Sequence, residues 1–246
     1  MTPTTLVLVP GLMCDHAVWS GVMAHLGPKA EGAVVPDHGL CDGIVGMAEQ
    51  ILASVPGPLA VAGHSMGGRV ALEMRRLAPQ RVRHLALLDT GYLARPMGAK
   101  GEAEAAKRQT LLDVALNQGV EAMARTWAQG MVHPSRLTDT TLMDAIVAMF
   151  ARRTPAHFAC QIRALLARPD ASRTLQSIGG PVYLLCGAQD SWSPVAQHQA
   201  MANLLPHSVL SVIESAGHMA PMEQPAAVAQ VLADWLASSP LAQESV

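Results

Sequence analysis

A serine between two glycines is the clearest candidate for chemistry in this sequence. The string Gly63-His64-Ser65-Met66-Gly67 matches the pattern Gly-x-Ser-x-Gly. It follows the apolar run 59–62 and opens a helical stretch, so it has the strand, sharp turn and helix setting that exposes a nucleophilic serine. Glycine at positions 63 and 67 removes side chains that would collide with the backbone of such a turn. We therefore predict that Ser65 attacks a carbonyl carbon.

A serine hydroxyl is a weak nucleophile at neutral pH and needs a base within hydrogen-bond reach. Ten histidines could fill this role, and His218 is the best placed. It lies between the strand-like run 209–213 and the last helix, on a loop expected at the same edge of the sheet as Ser65. The elbow directs His64 elsewhere, whereas His16 and His38 lie on early loops and are conceivable pocket residues.

The base in turn needs a carboxylate that fixes its tautomer and stabilises its protonated form. Asp190 follows the apolar run 182–186, and this gives the order Ser, Asp, His along the chain. Asp89 ends the run 84–88 and is the alternative acid. We predict Asp190 as the third member, with Asp89 left open.

Backbone N–H groups are the expected stabilisers of an oxyanion formed by Ser65. One donor should be Met66, which follows the nucleophile, and the other should come from the loop after the first strand. In that loop, Pro10 to Met13, we predict the N–H of Leu12 as the second donor. A plain surface turn at this loop is the alternative reading.

Short apolar runs alternate with amphipathic stretches over much of the chain. The predicted strands are 6–9, 33–36, 59–62, 84–88, 182–186 and 209–213. The predicted helices between them are 45–55, 67–77, 195–205 and 226–237. Continuous apolar runs suit strands that are buried on both faces. The alternation therefore predicts an α/β fold with a mostly parallel sheet and helices on both faces.

The alternation stops between residues 91 and 176, where we predict helices 102–117, 121–130 and 140–152. We interpret this stretch as a helical cap over the carboxyl ends of the strands. The expected organisation is one domain over residues 1–246, with the core at 1–90 and 177–246 and the cap at 91–176. Candidate residues for an apolar pocket are Met13, Trp127, Met131, Met143, Met149, Phe158, Trp192 and Met219. Because methionines at helical spacing also fill cores, core packing is the competing interpretation.

Charge is distributed unevenly along the chain. Residues 91–176 hold 11 of the 17 Lys and Arg residues but 7 of the 19 acidic ones, which leaves this stretch at +4 and the rest at -6. Solvated helix faces explain this, and so does a cationic pocket mouth that attracts an anionic substrate. The net charge of -2 gives no reason to expect nucleic acid or an anionic membrane as a partner. Aromatic residues make up 3% of the chain, so we expect a modest acyl or lactone pocket.

The start of the chain shows no targeting signal. Residues 1–5 lack a cationic segment, and the run 6–9 is halted by Pro10-Gly11, so we expect neither a signal peptide nor a membrane span. A cytoplasmic location is the resulting expectation.

Four scattered cysteines, without Cys-x-x-Cys spacing, favour small buried residues over a zinc site or a disulfide framework. The sequence gives no indication of the oligomeric state.

Taken together, these motifs resemble the α/β-hydrolase superfamily over nearly the whole length. The resemblance runs from Leu6-Val7-Leu8-Val9-Pro10-Gly11, through the serine turn, to Gly217-His218 and Glu223-Gln224-Pro225. The chain looks most like the compact capped branch of carboxylesterases and lactonases. This resemblance implies Ser65 as nucleophile, Asp190 as acid, His218 as base, and Leu12 and Met66 as oxyanion donors. It also implies cleavage of a small-to-medium ester, lactone or thioester, without metal or cofactor.

The sequence departs from the pattern of many relatives at two positions. The first loop carries Pro10-Gly11 where His-Gly is common, and residues 36–42 replace the usual Gly-x-Gly-x-Ser turn. Both changes affect substrate choice more than mechanism. A serine at the elbow disfavours dehalogenase and epoxide hydrolase activity, for which members of this superfamily use an aspartate. A C–C bond hydrolase or cofactor-free lyase or synthase on the same triad is the alternative function, followed by a slow-turnover ligand receptor.

Overall fold

A computed structural model describes residues 3–238 of the chain. Its strands are β1 Thr5–Val9, β2 Leu59–His64, β3 Val82–Leu88, β4 Val182–Gly187 and β5 Ser208–Ile213. Its helices are α1 Ala17–Leu26, α2 Ile44–Ser54, α3 Met66–Leu77, α4 Ala99–Gln118, α5 Val120–Trp127, α6 Thr140–Ala151, α7 Pro155–Leu166, α8 Ser172–Gln176, α9 Val195–Ala202, α10 Ala220–Glu223 and α11 Pro225–Ala237. The sheet order β1-β2-β3-β4-β5 follows the chain, and every pairing is parallel.

The parallel sheet brings all strand ends to one edge. β2 is buried along its whole length, as expected for a strand covered on both faces, whereas β5 is partly exposed because it lies at the border of the sheet. Ser65 follows the end of β2, and Asp89 follows the end of β3. Asp190 and His218 lie on the loops after β4 and β5. The carboxyl edge of the sheet therefore gathers the predicted chemistry.

Helices flank this sheet and close the core. α1 packs against α11, and α2 packs against α3, which also contacts β2 and β3. Most buried positions of α3 are apolar, whereas near its end Arg76 is exposed and Arg75 is half-buried, and both charges suit the negative end of the helix dipole. The predicted α/β class, with a parallel sheet and flanking helices, is confirmed.

Five helices, α4 to α8, occupy the stretch between β3 and β4. We call residues 91–176 the helical insertion. α4 packs on α5 and α7, and α5 packs on α6, so these helices contact one another. α7 begins with a capping box, in which Thr154 and His157 satisfy each other's backbone N–H groups. Helices were predicted over 102–117, 121–130 and 140–152, but α7 and α8 were not.

The predicted strand at 33–36 is wrong. Val34 forms a single bridge with Val7. The Val34 N–H donates to the Leu6 carbonyl at 2.9 Å, and the Leu8 N–H donates to the Val34 carbonyl at 2.9 Å. Pro36 has no N–H to continue the ladder, so the extended segment ends after one bridge. Among residues 3–238, no helix is both long and apolar enough to cross a membrane.

Candidate active site

Ser65 lies at a strained turn between β2 and α3. Its φ of 55° and ψ of -117° are unusual for a residue with a side chain, and neighbouring backbone holds them in place. A Cβ on Gly67 would collide with the Val9 carbonyl, and one on Gly63 would collide with the Gly67 backbone. The Ser65 carbonyl also accepts a 2.6 Å hydrogen bond from the Thr90 hydroxyl. The fold thus fixes the serine hydroxyl in one direction.

The serine hydroxyl, a histidine ring and a carboxylate form a continuous hydrogen-bonded series. Ser65 Oγ lies 2.8 Å from His218 Nε2, and His218 Nδ1 lies 2.8 Å from Asp190 Oδ2. His218 and Asp190 are both buried. Because Nδ1 donates to the carboxylate, Nε2 is free to accept the proton of the serine hydroxyl.

Backbone groups hold the Asp190 carboxylate in its ionised form. Its second oxygen, Oδ1, accepts hydrogen bonds from the N–H groups of Trp192 at 2.8 Å and Ser193 at 2.9 Å. Burial acts to raise the pKa of this carboxyl, but His218 and the two N–H groups outweigh it, so that the pKa lies below its usual value. Asp190 is therefore a carboxylate at neutral pH and can stabilise a protonated His218.

The alternative acid, Asp89, lies beneath this series and does not contact the base. Its Oδ1 accepts the Gly187 N–H at 2.8 Å, and its Oδ2 lies 3.8 Å from His64 Nε2 without a hydrogen-bond partner. Burial and the nearby Asp190 raise the pKa of Asp89 well above its ordinary value. Asp89 thus resembles a neutral buried acid more than a partner for His218.

His64 supports the base through its backbone. Its Nε2 donates a 2.8 Å hydrogen bond to the His218 carbonyl, and its ring lies 5.5 Å from the His218 ring. Burial, followed by the proximity of His218, lowers the pKa of His64 to about 3, so the ring is neutral. As expected, the elbow directs His64 away from the role of base.

Two backbone N–H groups in the wall of the cavity at Ser65 have no acceptor among residues 3–238. Within residues 3–238, the N–H groups of Leu12 and Met66 form no hydrogen bond, and both residues line the cavity at Ser65. The first loop approaches closely, since a Cβ on Gly11 would lie 3.2 Å from Ser65 Cβ. Met13, at φ 61°, donates its own N–H to Gln161 Oε1 at 2.7 Å. Gln161, on α7, therefore fixes the shape of this loop.

Glu223 ties the histidine loop to the helical insertion. Its carboxylate accepts the Gly217 N–H at 2.8 Å and the His133 N–H at 2.7 Å. The loops touch, because a Cβ on Gly217 would lie 2.6 Å from the Met131 carbonyl oxygen. Burial raises the pKa of Glu223 despite these N–H donors. The position of His218 therefore depends on this buried carboxyl group.

A cavity of about 270 Å³ opens at Ser65 between the sheet edge and the helical insertion. Trp127 of α5 stacks on Trp192 at 5.7 Å between ring centroids, and Trp192 lies 4.9 Å from the His218 ring. Four of the predicted pocket residues, Trp127, Met131, Trp192 and Met219, line this cavity. This cavity volume is small for a small-molecule site, so the cavity suits a compact ligand.

The remaining predicted pocket residues lie elsewhere. Met13, Met149 and Phe158 are almost fully buried in the core and do not line the cavity. Met13 has a left-handed backbone and a fully buried side chain, and the Phe158 ring lies 5.4 Å from the Trp127 ring. Met143 is partly buried against the core and also stays outside the cavity lining. The competing interpretation, core filling, accounts for these side chains.

Two early histidines are also absent from the cavity lining. His16 is exposed, whereas His38 is buried with its Nε2 2.9 Å from the Pro10 carbonyl. His38 therefore supports the first loop from behind.

Of the cysteines, Cys14 and Cys186 are buried, and burial raises the pKa of each to about 12, so neither is a thiolate nucleophile.

Several polar residues that line the cavity were not among the site residues predicted from the sequence. They are Arg69, Thr90, Glu104, Arg108, Arg168 and Gln197. The excess of Lys and Arg between residues 91 and 176 was the available signal for two of these arginines. Arg69 lies one helical turn after Ser65, a spacing that puts both near the same end of α3.

A serine, a histidine and a carboxylate in hydrogen-bonded series, beside two free backbone N–H groups on a parallel α/β sheet, define the serine hydrolase class. Comparison with known proteins places the chain more closely. The profile of the "Alpha/beta hydrolase family" matches residues 6–231, and the chain belongs to this family.

Individual relatives include esterases and a putative synthase. A pimeloyl-[acyl-carrier protein] methyl ester esterase of Aromatoleum aromaticum is 26% identical, over 95% of this chain and 98% of that protein. A putative 2-succinyl-6-hydroxy-2,4-cyclohexadiene-1-carboxylate synthase of Bacillus subtilis is 28% identical, over 72% of this chain and 65% of that protein. The structure of a thermophilic esterase from Thermogutta terrifontis, described as malate bound, is 26% identical, with a TM-score of 0.83 over 96% of this chain and 90% of that one. The expected class, a serine hydrolase of esters, is confirmed.

Proposed function

We propose that the chain cleaves a small-to-medium carboxylic ester, lactone or thioester through an acyl-enzyme on Ser65. The observation that carries this proposal is the series Ser65 Oγ, His218 and Asp190, joined by two 2.8 Å hydrogen bonds at a cavity. Leu12 and Met66 supply the oxyanion donors. The helical insertion acts as the cap of a single domain, since it provides one wall of the cavity.

In the first half of the reaction, His218 Nε2 takes the Ser65 proton while Oγ attacks the substrate carbonyl carbon. The negative charge on the resulting oxyanion is held by the Leu12 and Met66 N–H groups, aided by the N-terminus of α3. The protonated His218, stabilised by Asp190, then gives its proton to the leaving oxygen or sulfur. The alcohol or thiol departs and the acyl group stays on Ser65.

In the second half, a water molecule gives a proton to His218 and attacks the acyl carbon. Collapse of the second oxyanion releases the carboxylic acid, and the proton returns from His218 to Ser65. Trp192, against the His218 ring, shields this base from bulk water on one side. No step requires a further group beyond the substrate and water.

The substrate class follows from the cavity and the relatives. The small volume favours a compact molecule over a long-chain lipid, and arginines in the lining favour an anionic one. The Aromatoleum relative is named for a methyl ester, and the Thermogutta structure was solved with malate, a dicarboxylate. We propose a small anionic ester as the substrate. The cytoplasmic location expected from the sequence stays a prediction.

A synthase that forms its product by proton abstraction is the second candidate. The Bacillus relative, named as a putative carboxylate synthase, supports it. In such a reaction His218 would act as a base without an acyl-enzyme. Detectable turnover of simple esters by Ser65 would count against this as the main activity.

The experiment is hydrolysis of p-nitrophenyl esters from acetate to decanoate by wild type and Ser65→Ala. We expect activity with a short-chain optimum, and a decrease of about four to six orders of magnitude in the variant. Ser20→Ala is the matched control, because Ser20 is exposed on α1 and its hydroxyl donates to the His16 carbonyl, away from the cavity. Equal activity of wild type and Ser65→Ala would refute the esterase proposal and favour the synthase.

A further inference from the structure

Three arginines from separate elements meet in the wall of the cavity at Ser65. Arg69 lies in α3, Arg108 in α4, and Arg168 just after α7, and each lines the cavity. The catalytic cycle uses none of them. Charged side chains with no role in the chemistry of a pocket point to what the pocket binds.

Hydrogen bonds bring the three guanidinium groups close together. Arg69 Nη1 and Arg168 Nε both donate to the Leu93 carbonyl, at 2.8 and 3.3 Å. Arg168 also forms a two-pronged ion pair with Glu104, at 2.6 and 2.9 Å. Arg108 Nη2 shares the same Glu104 Oε1 at 3.0 Å. The side chains therefore form one connected group, which we call the arginine group.

The arginine group carries more positive than negative charge. Among residues 3–238, Glu104 is the one carboxylate hydrogen-bonded to the group, with Asp170 as a further nearby negative charge, and both Glu104 oxygens are already occupied by Arg108 and Arg168. Within residues 3–238, Arg69 has no carboxylate within 4 Å. Burial, and then Arg168, lower the pKa of Arg69 to about 9, which leaves it protonated at neutral pH. A cation in this position is costly unless an anion joins it.

The backbone also leaves room beside Arg69. A Cβ on Gly91 would lie 2.9 Å from Arg69 Nη2 and would collide with the Gln197 amide. Glycine at this position lets the guanidinium and the amide reach the cavity side by side. Gln197 is itself oriented by a 3.0 Å hydrogen bond from Nε2 to the Thr90 carbonyl. Arginine presents a planar fork of donors that matches the two oxygens of a carboxylate.

We propose that the arginine group is a subsite for a carboxylate, so that the substrate is a monoester of a small dicarboxylic acid. This rests on the proposed ester hydrolysis at Ser65. The ester carbonyl lies at Ser65 while the free carboxylate, at the other end of the same acyl chain, pairs with Arg69. The product is a dicarboxylic acid, and a reaction that esterifies one carboxyl group of such an acid must supply the substrate.

The test compares methyl hydrogen adipate with dimethyl adipate, which differ in the charge at the far end of the chain. We expect wild type to favour the monoester by at least tenfold in kcat/KM, since a charge-assisted, two-pronged hydrogen bond is worth about ten- to a hundredfold. A series from succinate to suberate should show one preferred length, which reflects the distance from Ser65 to the arginine group.

Arg69→Met should reduce the ratio of monoester to diester kcat/KM by at least tenfold, mainly through the KM of the monoester. Arg69→Lys keeps the charge but loses the fork, and should fall between wild type and Arg69→Met. Arg125→Met is the matched control, because Arg125 is exposed on α5, pairs with Glu121 and Asp144, and does not line the cavity. The control should retain the wild-type ratio.

Binding can be followed without turnover in the Ser65→Ala variant. Trp127 and Trp192 stack beside the cavity, so titration with adipate should change their fluorescence, and the additional change Arg69→Met should weaken this binding at least tenfold. If wild type hydrolyses dimethyl adipate through Ser65 but shows no preference for the monoester, the subsite is refuted and the esterase stands. If neither ester is hydrolysed, the proposed function itself fails. Equal adipate binding with and without Arg69 would also overturn the subsite.

Discussion

Asp89 is expected to make the folded protein less stable as pH rises. It is fully buried, one carboxylate oxygen lacks a partner, and its pKa is raised well above the ordinary value. The folded state therefore keeps the proton, whereas the unfolded chain loses it above a pH of about 4. Because the folded state binds more protons, stability declines between that pH and the raised pKa. Replacing Asp89 with Asn removes this proton while retaining an oxygen for the Gly187 N–H.

The expected magnitude comes from linkage. Within this pH window, the free energy of unfolding of wild type should decrease by about 1.4 kcal/mol per pH unit relative to Asp89→Asn. The two hydrogens of the new amide face a site 3.8 Å from His64 Nε2, which is itself a donor, so the variant carries a constant cost of about 1–3 kcal/mol. This cost does not depend on pH. The test is therefore how the difference in free energy of unfolding between Asp89→Asn and wild type changes with pH.

Urea unfolding at pH 5, 6, 7 and 8 measures this slope. Asp113→Asn, which removes an exposed carboxylate on α4, controls for net charge. At each step up in pH, we expect the free energy of unfolding of Asp89→Asn to rise relative to that of wild type. This trend should stop once the pH reaches the pKa of Asp89 in the folded protein. A difference that stays constant over these four pH values, or moves in favour of wild type, would refute a protonated buried Asp89.

Three other substitutions probe the site. Asp190→Asn should lower kcat by about 10⁴-fold in ester hydrolysis, because an amide can neither fix the His218 tautomer nor stabilise its charge; a loss under tenfold would contradict this. Gln161→Leu removes the acceptor of the Met13 N–H, so the loop that carries the Leu12 N–H should shift. We expect kcat to fall about ten- to a hundredfold with little change in KM. An effect on KM alone would argue against this role. Glu223→Gln should lower Tm, because one oxygen cannot serve two backbone N–H groups; unchanged thermal unfolding would argue against this account.

The fold was largely predictable because its signals are local. Apolar runs bounded by Gly and Pro marked five strands that the structure contains, and a sixth at 33–36 failed where Pro36 ends the pairing. The serine turn could be recognised because a strained backbone demands glycines at fixed spacing. The order of Ser65, Asp190 and His218 followed from the parallel sheet, which brings their loops to one edge.

The pocket was less predictable because it depends on how the helical insertion lies over the sheet. Met13 and Met149 have suitable side chains, but the backbone directs them into the core. Arg69, Arg108 and Arg168 are separated by 39 and 60 positions in succession, and nothing in their local sequence marks them as neighbours. The surplus of positive charge in the insertion was visible, but its location was not.

Covalent labelling with a serine-directed reagent is the sharpest test of whether Ser65 is an activated nucleophile. After incubation with a fluorophosphonate, which phosphonylates activated serines, the protein is digested and its peptides are analysed by mass spectrometry. We expect one adduct per chain, on Ser65, and strongly slowed labelling in His218→Ala. Labelling of a different residue, or no labelling of Ser65 in the folded wild type, would contradict it.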